Sequence, residues 1–259
     1  MLISVKLIKM KINSWDTWSK NPNTEKTKLR VEKKLPIMEC TKQLKKIISK
    51  IYKPKMKILD FGCASGHYYL ELSKLNKNLK YTGYDATKNY ISFAKKHFKH
   101  NKNVNFKVEN LLSKNKNLKE KFDIVYSCNV LLHLPEIKQP IKNLLSKTNK
   151  YCIIRTLVDE HTHLSQHLVK DLFDKKGKPT HYTYQNTYSY DYIKKIIKDN
   201  GNYNVIFEND VFNKKLISNE YQSETKRMKT PYTTKISNDL QICGAKVFTW
   251  KWIIIKKNS

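Results

Sequence analysis

The chain has 259 residues, of which 39% are hydrophobic, so one α/β domain with insertions can bury a substantial core. Its formal net charge is +29 at pH 7, and nearly all of its basic residues are lysines spread along the whole sequence. Proteins that recognise bases and phosphates favour the guanidinium group of arginine, which donates two parallel hydrogen bonds. A chain with three arginines therefore indicates a solvated lysine surface rather than a focused nucleic-acid site.

The compartment is predicted from the cysteines and from the absence of long apolar stretches. The five cysteines form no CxxC pair and no His/Cys cluster at metal-ligand spacing, which predicts a reduced, cytoplasmic protein without a metal site. Lysines interrupt the apolar start of the chain, unlike a signal peptide. No later stretch approaches the roughly 18 apolar residues of a membrane span, so we expect no membrane insertion.

In chain order, the first predicted unit is an N-terminal helical or lid segment over residues 1–54. It contains Trp15 and Trp18, which a solvated tail would not need, so we expect this segment to dock and Trp18 to lie near a ligand. Apolar positions over residues 36–52 recur at helical spacing, and Pro54 closes that helix.

Residues 55–259 begin with a regular alternation of strand and helix patterns. Strands are predicted at Lys57–Phe61, Lys80–Tyr84, Val104–Val108, Phe122–Ser127 and Tyr151–Thr156. Helices are predicted between them at Tyr68–Leu75, Lys88–Phe98 and Ile137–Ser146. Strands separated by helices predict parallel βαβ units, and therefore an α/β fold with a doubly wound, mostly parallel sheet.

The alternation of strand and helix patterns is then interrupted by two long segments that precede the final strands. A helix at Tyr190–Asp199 and a strand at Tyr203–Phe207 follow the first interruption, and a last strand at Lys246–Ile255 follows the second. Long connections in a compact domain are usually functional or disordered. We therefore predict substrate-binding insertions at residues 157–188 and 211–243.

The first chemical motif is the turn Asp60-Phe61-Gly62-Cys63-Ala64-Ser65-Gly66, which ends a strand and opens a helix. Glycine at position 62 permits a tight turn, and amides at a helix N-terminus suit a carboxylate or a phosphate. Ligands of open α/β sheets bind at the carboxyl ends of the strands. The motif indicates a ligand site, although such turns also occur in α/β proteins for structural reasons.

Two further motifs follow the next strands. Asp85 ends the second strand, where a carboxylate either accepts both hydroxyls of a ribose or caps the following helix. The run from Phe122 to Val125 is a buried strand that leads to His133, just ahead of Pro135. That histidine is either a structural hydrogen-bonding residue or a catalyst.

In this order and spacing, the three motifs resemble the class I S-adenosylmethionine-dependent methyltransferases, which have a seven-stranded Rossmann-like sheet. The resemblance covers residues 55–156 well and the final strands loosely. It implies S-adenosylmethionine as the cofactor, held between Asp60 and His133. The implied cofactor contacts, with Trp18 from the lid, are Asp60, Gly62, Cys63, Ala64, Gly66, Asp85, Ala86, Asn110, Leu111 and Asn129.

The sequence departs from the family pattern at two places. Ala64 stands where the middle glycine is usual, which narrows the freedom of the turn without blocking a ligand. Glu109-Asn110 stands where an acid near the adenine amino group is common, and the Asn110 carbonyl oxygen can accept from that group. The spacing of the glycines does not match the dinucleotide fingerprint, which disfavours a nicotinamide oxidoreductase.

The acceptor pocket is expected over the ends of the fourth and fifth strands, next to Arg155. This arginine is predicted either to clamp a phosphate or carboxylate of the acceptor, or to pair with Asp159 or Glu160. The insertion after it is rich in histidine and tyrosine.

His161 and His181 of this insertion join His133 and Arg155 as candidate catalytic residues. A metal ion bound by His161 and His163 is the alternative to a polar surface carrying histidines, and we predict no metal.

These features favour a methyltransferase acting on a small-molecule or glycan-precursor acceptor, through O-methylation of a sugar, glycan precursor or phosphorylated metabolite. The alternative acceptors are RNA and protein, reached through the lysine-rich surface. The Asn/Asp-Pro-Pro-Tyr sequence of many amino-group methylating enzymes is absent after the fourth strand, which disfavours nucleobase N-methylation. A non-catalytic nucleoside-binding module is the third hypothesis, against which the retained acids and glycines argue.

Overall fold

The computed structural model describes residues 22–113, 120–168, 173–178, 182–211, 233–235, 241–243, 246–247 and 249–258. Its helices are α1 (Pro22–Val31), α2 (Glu39–Ser49), α3 (His67–Leu72), α4 (Lys88–His97), α5 (Lys138–Ser146) and α6 (Tyr190–Lys198). Two 3₁₀ turns lie at Ser73–Leu75 and Leu131–His133.

The strands of the main sheet are β1 (Lys57–Phe61), β2 (Lys80–Asp85), β3 (Val104–Val108), β4 (Phe122–Cys128), β5 (Thr148–Asp159), β8 (Tyr188–Ser189), β9 (Tyr203–Asn209) and β13 (Trp250–Lys257). The shorter strands outside it are β6 (Gln166–Leu168), β7 (Tyr182–Tyr184), β10 (Thr233–Lys235), β11 (Gln241–Cys243) and β12 (Lys246–Val247).

The main sheet confirms the predicted doubly wound α/β fold. Its strand order is β3-β2-β1-β4-β5-β13-β9, in which β1 to β5 pair in parallel and β13 runs antiparallel between β5 and β9. These are the seven strands of the predicted sheet. An eighth short strand, β8, pairs in parallel with the end of β5.

Two strand predictions needed correction. Strand β5 continues beyond the predicted Thr156 to Asp159, because β8 and β13 pair with its final residues. The predicted last strand is broken in two: Lys246–Val247 pairs with β11 in a separate three-stranded sheet, and β13 begins only at Trp250.

Apolar side chains cover both faces of the sheet, as its parallel strands require. Neighbouring residues on one strand enter different clusters: Leu59 faces one core and Ile58 the other. The Leu59 core is covered by α5 and α6 and the Ile58 core by α2 and α3. In the part of the chain that the structure describes, no helix has the length and apolar character needed to cross a membrane.

Helix α2 shows how the N-terminal segment joins the domain. Its apolar residues recur along one face, so Leu44, Ile47 and Ile48 are buried against the sheet while its lysines face outwards. Helix α1 packs on α3, directly after the glycine turn. Helix α1 therefore lies against the end of the sheet where the motifs meet.

Candidate functional site

A cavity of about 360 Å³ opens at the carboxyl ends of β1, β2 and β4. This volume lies within the usual range for small-molecule sites, roughly 300–1,000 Å³. The cavity brings together seven of the sequence-predicted site residues: its wall includes Gly62, Ala64, Asp85, Ala86, Leu111, Asn129 and His133. Asp60, Cys63, Gly66, Asn110, Arg155 and His161 are not on the wall.

The turn after β1 has the backbone that its glycines predicted. Gly62 and Gly66 have φ angles of +95° and +84°, and Ala64 also lies in the left-handed region at +47°. A Cβ atom at position 62 would lie 2.2 Å from Cγ2 of Val130, so no side chain fits there without a shift. The glycine at position 62 is therefore needed both for its conformation and for close packing.

Hydrogen bonds to β2 hold this turn in place. The amides of Gly62 and Cys63 both donate to the Tyr84 carbonyl, at 2.7 and 3.0 Å. The Ala64 amide donates to Oδ2 of Asp85 at 2.9 Å. These amides thus already have partners within the protein, and the Cys63 thiol is buried in the core.

Asp85 faces the cavity and organises the turn before α4, whose N-cap residue is Thr87 rather than Asp85. Its Oδ1 accepts from the amide of Thr87, the residue before α4, at 2.8 Å, and its Oδ2 holds Ala64. Burial raises the pKa of Asp85, and the two backbone hydrogen bonds oppose that rise. Each carboxylate oxygen has a second lone pair, so the same group can also accept from ligand hydroxyls.

Asp60 lies beneath the turn rather than on the cavity wall. It is 1% exposed, and the Tyr81 hydroxyl donates to its Oδ2 at 2.6 Å. Burial raises the pKa of Asp60 to about 7. The structure therefore places this acid as a buried support of the turn and not in direct contact with a cavity ligand.

After β3, the structure replaces one predicted contact with its neighbour. Oδ1 of Asn110 accepts from the Leu112 amide at 2.8 Å in a local turn, so this oxygen is not directed at a ligand. Glu109 and Leu111 line the cavity on either side of it.

Asn129 lies on the cavity wall with a left-handed backbone, and a buried arginine holds it there. Its φ angle is +60°, its amide donates to the Arg155 carbonyl at 3.0 Å, and its Oδ1 accepts from the Arg155 guanidinium. The guanidinium also forms a buried salt bridge with Asp210 and lies 3.9 Å from the centre of the Trp250 ring. The arginine thereby fixes the carboxamide of Asn129.

Both predicted uses of Arg155 therefore need correction. Its ionic partner is Asp210, not Asp159 or Glu160, and that pairing leaves its guanidinium away from the cavity. A clamp on an acceptor anion would require breaking this buried salt bridge, which costs several kcal/mol in typical proteins.

His133 faces the cavity from the 3₁₀ turn that follows β4. Its Nδ1 lies 2.9 Å from the carbonyl oxygen of Tyr184 in the insertion, which can only accept, so Nδ1 carries the proton. Burial lowers the pKa of this imidazole. The ring is therefore held in one tautomer, with Nε2 as its lone-pair nitrogen.

The other histidines predicted as site residues do not come together in the described part of the structure. His161 and His163 are exposed in the insertion, and among the described residues no three His, Cys, Asp or Glu side chains are placed to hold a metal ion. The predictions for Trp18 and His181, and much of the insertion 211–243, fall outside the described residues.

Sequence reasoning missed the wall that α1 contributes. Lys26, Thr27 and Arg30 face the cavity from this helix, together with His67 from α3. The Thr27 and Ser65 hydroxyls are hydrogen-bonded at 3.0 Å, which joins α1 to the glycine turn. Two features of the sequence could have indicated these residues: His67 directly follows Gly66, and Arg30 is one of few arginines.

Comparisons with known proteins agree with this geometry. A family model described as a methyltransferase domain matches residues 52–226. No curated protein sequence matches this chain significantly.

Solved structures share the fold at low identity. Magnesium protoporphyrin IX methyltransferase from Synechocystis PCC 6803, with bound SAM, is 14% identical over 95% of this chain and 92% of its own, with a TM-score of 0.52. The methyltransferase domain of bacterial CtHen1-C is 16% identical over 85% and 98%, with a TM-score of 0.53. The [4+2]-cyclase SpnF is 12% identical over 83% and 80%, with a TM-score of 0.54.

The family match covers well over half of the chain, and its residues include every strand from β1 to β9. The chain therefore belongs to the methyltransferase domain family, the S-adenosylmethionine-dependent methyltransferases with the class I Rossmann-like fold.

Proposed function

We propose that this chain is an S-adenosylmethionine-dependent methyltransferase that O-methylates a small-molecule acceptor. Sugars, glycan precursors and phosphorylated metabolites are the acceptor classes to screen first. The observation that carries the proposal is a single cavity lined by Asp85, the glycine turn and His133. It offers a hydroxyl-accepting carboxylate and a neutral imidazole in the same space.

The residues of the cavity fit the cofactor. Asp85 keeps lone pairs for the two ribose hydroxyls, and Ala86 and Leu111 give apolar surface for a purine. Gly62 and Ala64 allow a ligand to approach the backbone closely. When bound, S-adenosylmethionine supplies an electrophilic methyl group on a sulfonium sulfur.

His133 is the proposed proton acceptor for an acceptor hydroxyl. Its Nδ1–H is directed at the Tyr184 carbonyl, so Nε2 of the neutral ring is the basic nitrogen. The lowered pKa keeps the ring neutral at physiological pH. The bond to Tyr184 brings this one residue of the insertion next to His133. On this support we propose that the insertion 157–188 and the N-terminal segment 1–54 bind the acceptor.

The first experiment is calorimetric titration with S-adenosylmethionine and S-adenosylhomocysteine of the natural chain, Asp85→Ala and Asp191→Ala. Asp191 lies in the first turn of α6, exposed and away from the cavity. We expect micromolar binding that Asp85→Ala weakens at least about 100-fold, equivalent to roughly 3 kcal/mol. Asp191→Ala should bind like the natural chain. No binding of either nucleoside by the natural chain would overturn the cofactor assignment.

The second experiment separates chemistry from binding with His133→Asn. Asparagine can still donate to the Tyr184 carbonyl, but it has no basic nitrogen at the Nε2 position. In a transfer assay from labelled S-adenosylmethionine to a panel of hydroxyl-bearing acceptors, we expect a 10²–10⁴-fold lower kcat, the usual range for a general base. An unchanged kcat with a productive acceptor would remove His133 from the mechanism.

A macromolecular acceptor is the second candidate, and the net charge of +29 is the observation that favours it. RNA binding through lysines should weaken steeply as salt concentration rises. Methylation of total RNA or protein that exceeds methylation of every small molecule in the panel would favour this alternative. Because the similar fold of SpnF is that of a [4+2]-cyclase, methyl transfer has to be measured directly.

A further inference from the structure

Helix α1 closes the cavity with positive charge. Lys26 and Arg30 lie on the wall, and two acid–lysine pairs lie nearby, Glu25 with Lys28 and Glu32 with Lys34. Within the described residues, Arg30 forms no salt bridge with an acidic side chain. Its charge therefore faces the cavity without a carboxylate to balance it.

His67 adds two buried polar atoms at the same place. The side chain is on the cavity wall, the residue is 6% exposed, and neither ring nitrogen has a hydrogen-bond partner in the described part of the chain. The Nε atom of Arg30 is buried without a partner as well. Burial and the nearby Arg30 charge lower the pKa of His67 to about 3, so its ring is neutral. A buried polar atom without a partner is unfavourable, so these atoms favour a ligand that supplies one.

The two ends of the cavity differ in charge. Asp85 and Glu109 lie towards the ends of β2 and β3, whereas Lys26, Arg30 and His67 lie on the α1 side. An acidic wall suits ligand hydroxyls and amino groups, and a wall of cationic and N–H donors suits a carboxylate. A ligand with a ribose at one end and a carboxylate at the other matches both.

We propose that Arg30 and His67 form a carboxylate subsite that takes the aminoacyl end of the cofactor, and that filling it fastens α1 over the cavity. This inference rests on the proposed function. The guanidinium donates to the carboxylate, and the neutral imidazole adds one further N–H donor. The Thr27–Ser65 hydrogen bond holds α1 near this position, and the ligand carboxylate adds contacts on the inner face of the helix.

The binding test compares S-adenosylhomocysteine with 5′-methylthioadenosine, a nucleoside without the aminoacyl carboxylate, by calorimetry. Arg30→Met should weaken S-adenosylhomocysteine about 10- to 100-fold, the range expected for hydrogen bonds to a charged group, and leave methylthioadenosine within about threefold. His67→Phe, which removes both ring nitrogens at similar volume, should act in the same direction. Lys34→Met, which removes an exposed lysine paired with Glu32, is the control and should change neither affinity.

The closure test is amide hydrogen exchange over residues 22–31. We expect S-adenosylhomocysteine to slow exchange in α1 of the natural chain, and methylthioadenosine at saturation to slow it much less. Equal loss of both ligands in Arg30→Met, or no loss of either, would overturn the subsite, as would equal protection by both ligands in the natural chain. A natural chain that binds neither nucleoside would instead overturn the proposed function itself.

Discussion

The two sides of the cavity are prepared for a ligand in different ways. On the β2 side, the turn amides and both Asp85 oxygens already have hydrogen-bond partners within the protein. On the α1 side, the His67 nitrogens and Arg30 Nε are buried without partners among the described residues. The first side is rigid before binding, whereas the second gains its hydrogen bonds only when a ligand arrives.

This difference separates affinity from selectivity. A preformed wall loses little conformational entropy on binding, so it contributes the same to any nucleoside that fits. A wall with unsatisfied donors increases the affinity only for a ligand that carries the matching acceptor. Four substitutions test this contrast, from the largest expected effect to the smallest.

Arg155→Met should remove the support of the preformed side. It leaves the Asp210 carboxylate buried without its cation and the Asn129 carboxamide without its donor, so we expect a loss of about 3–5 kcal/mol in unfolding free energy. Urea denaturation measures this loss. In the double variant with Asp210→Asn, no charge stays buried and most of the stability should return. A loss below about 1 kcal/mol would show that the salt bridge contributes little.

Asp60→Asn should stabilise the turn above neutral pH. The pKa of Asp60 is raised from 3.8 to about 7, so the folded state holds a proton that the unfolded state releases between those values. Stability from this group is therefore full below about pH 4 and is lost as pH rises to 7, by up to about 4 kcal/mol.

Asparagine resembles the protonated acid and removes that loss. The difference in unfolding free energy between Asp60→Asn and the natural chain should grow from pH 4 to pH 7 and then level off. His67 contributes the opposite slope, since its pKa is lowered to about 3 and its stability is lost as pH falls from about 6.5. A pH-independent difference for Asp60→Asn would contradict the burial of its charge.

Gly62→Ala should destabilise the chain by about 3 kcal/mol and abolish nucleoside binding. The new Cβ would meet Val130 at 2.2 Å, and alanine is strained at a φ angle of +95°. Gly177→Ala is the matched control, because Gly177 also has a positive φ but no atom within 4 Å of its Cβ position. The control isolates backbone strain and should lose only about 1 kcal/mol. Equal losses would show that the contact with Val130 is unimportant.

Thr27→Val should loosen α1 with little effect on global stability. It removes the hydrogen bond to Ser65 and keeps the shape of the side chain, so we expect a local loss of about 1 kcal/mol and amide exchange about fivefold faster over residues 22–31. Thr27→Ser keeps the hydroxyl and should behave like the natural chain. Unaltered exchange in Thr27→Val would mean that packing alone holds the helix.

Local sequence patterns predicted the bounds of strands β1 to β4 to within one residue. Lys57–Phe61 and Val104–Val108 agree with the structure because each carries its own apolar pattern between turn residues. The errors at β5 and before β13 arose where pairing with distant strands decides the length of a strand. Such pairing is a property of tertiary contacts, which periodicity does not contain.

The same distinction holds for the site. The predictions that Gly62 and Asp85 lie at the ligand site follow from adjacent strand ends, and both line the cavity. The partner of Arg155 lies 55 positions away at the end of β9, so composition near Arg155 pointed to the wrong acids. Arg30 was missed because only tertiary packing brings α1 over the turn.

The place of β13 in the sheet has a consequence for the order of folding. Among the strands that the structure describes, β9 pairs only with β13, and residues 210–249 separate the two in the sequence. During synthesis, β1 to β5 can assemble as their helices emerge, but β9 has no neighbour until Trp250–Lys257 leaves the ribosome. The nascent chain therefore carries an unpaired strand and an open edge at β5 for this interval, a state prone to aggregation.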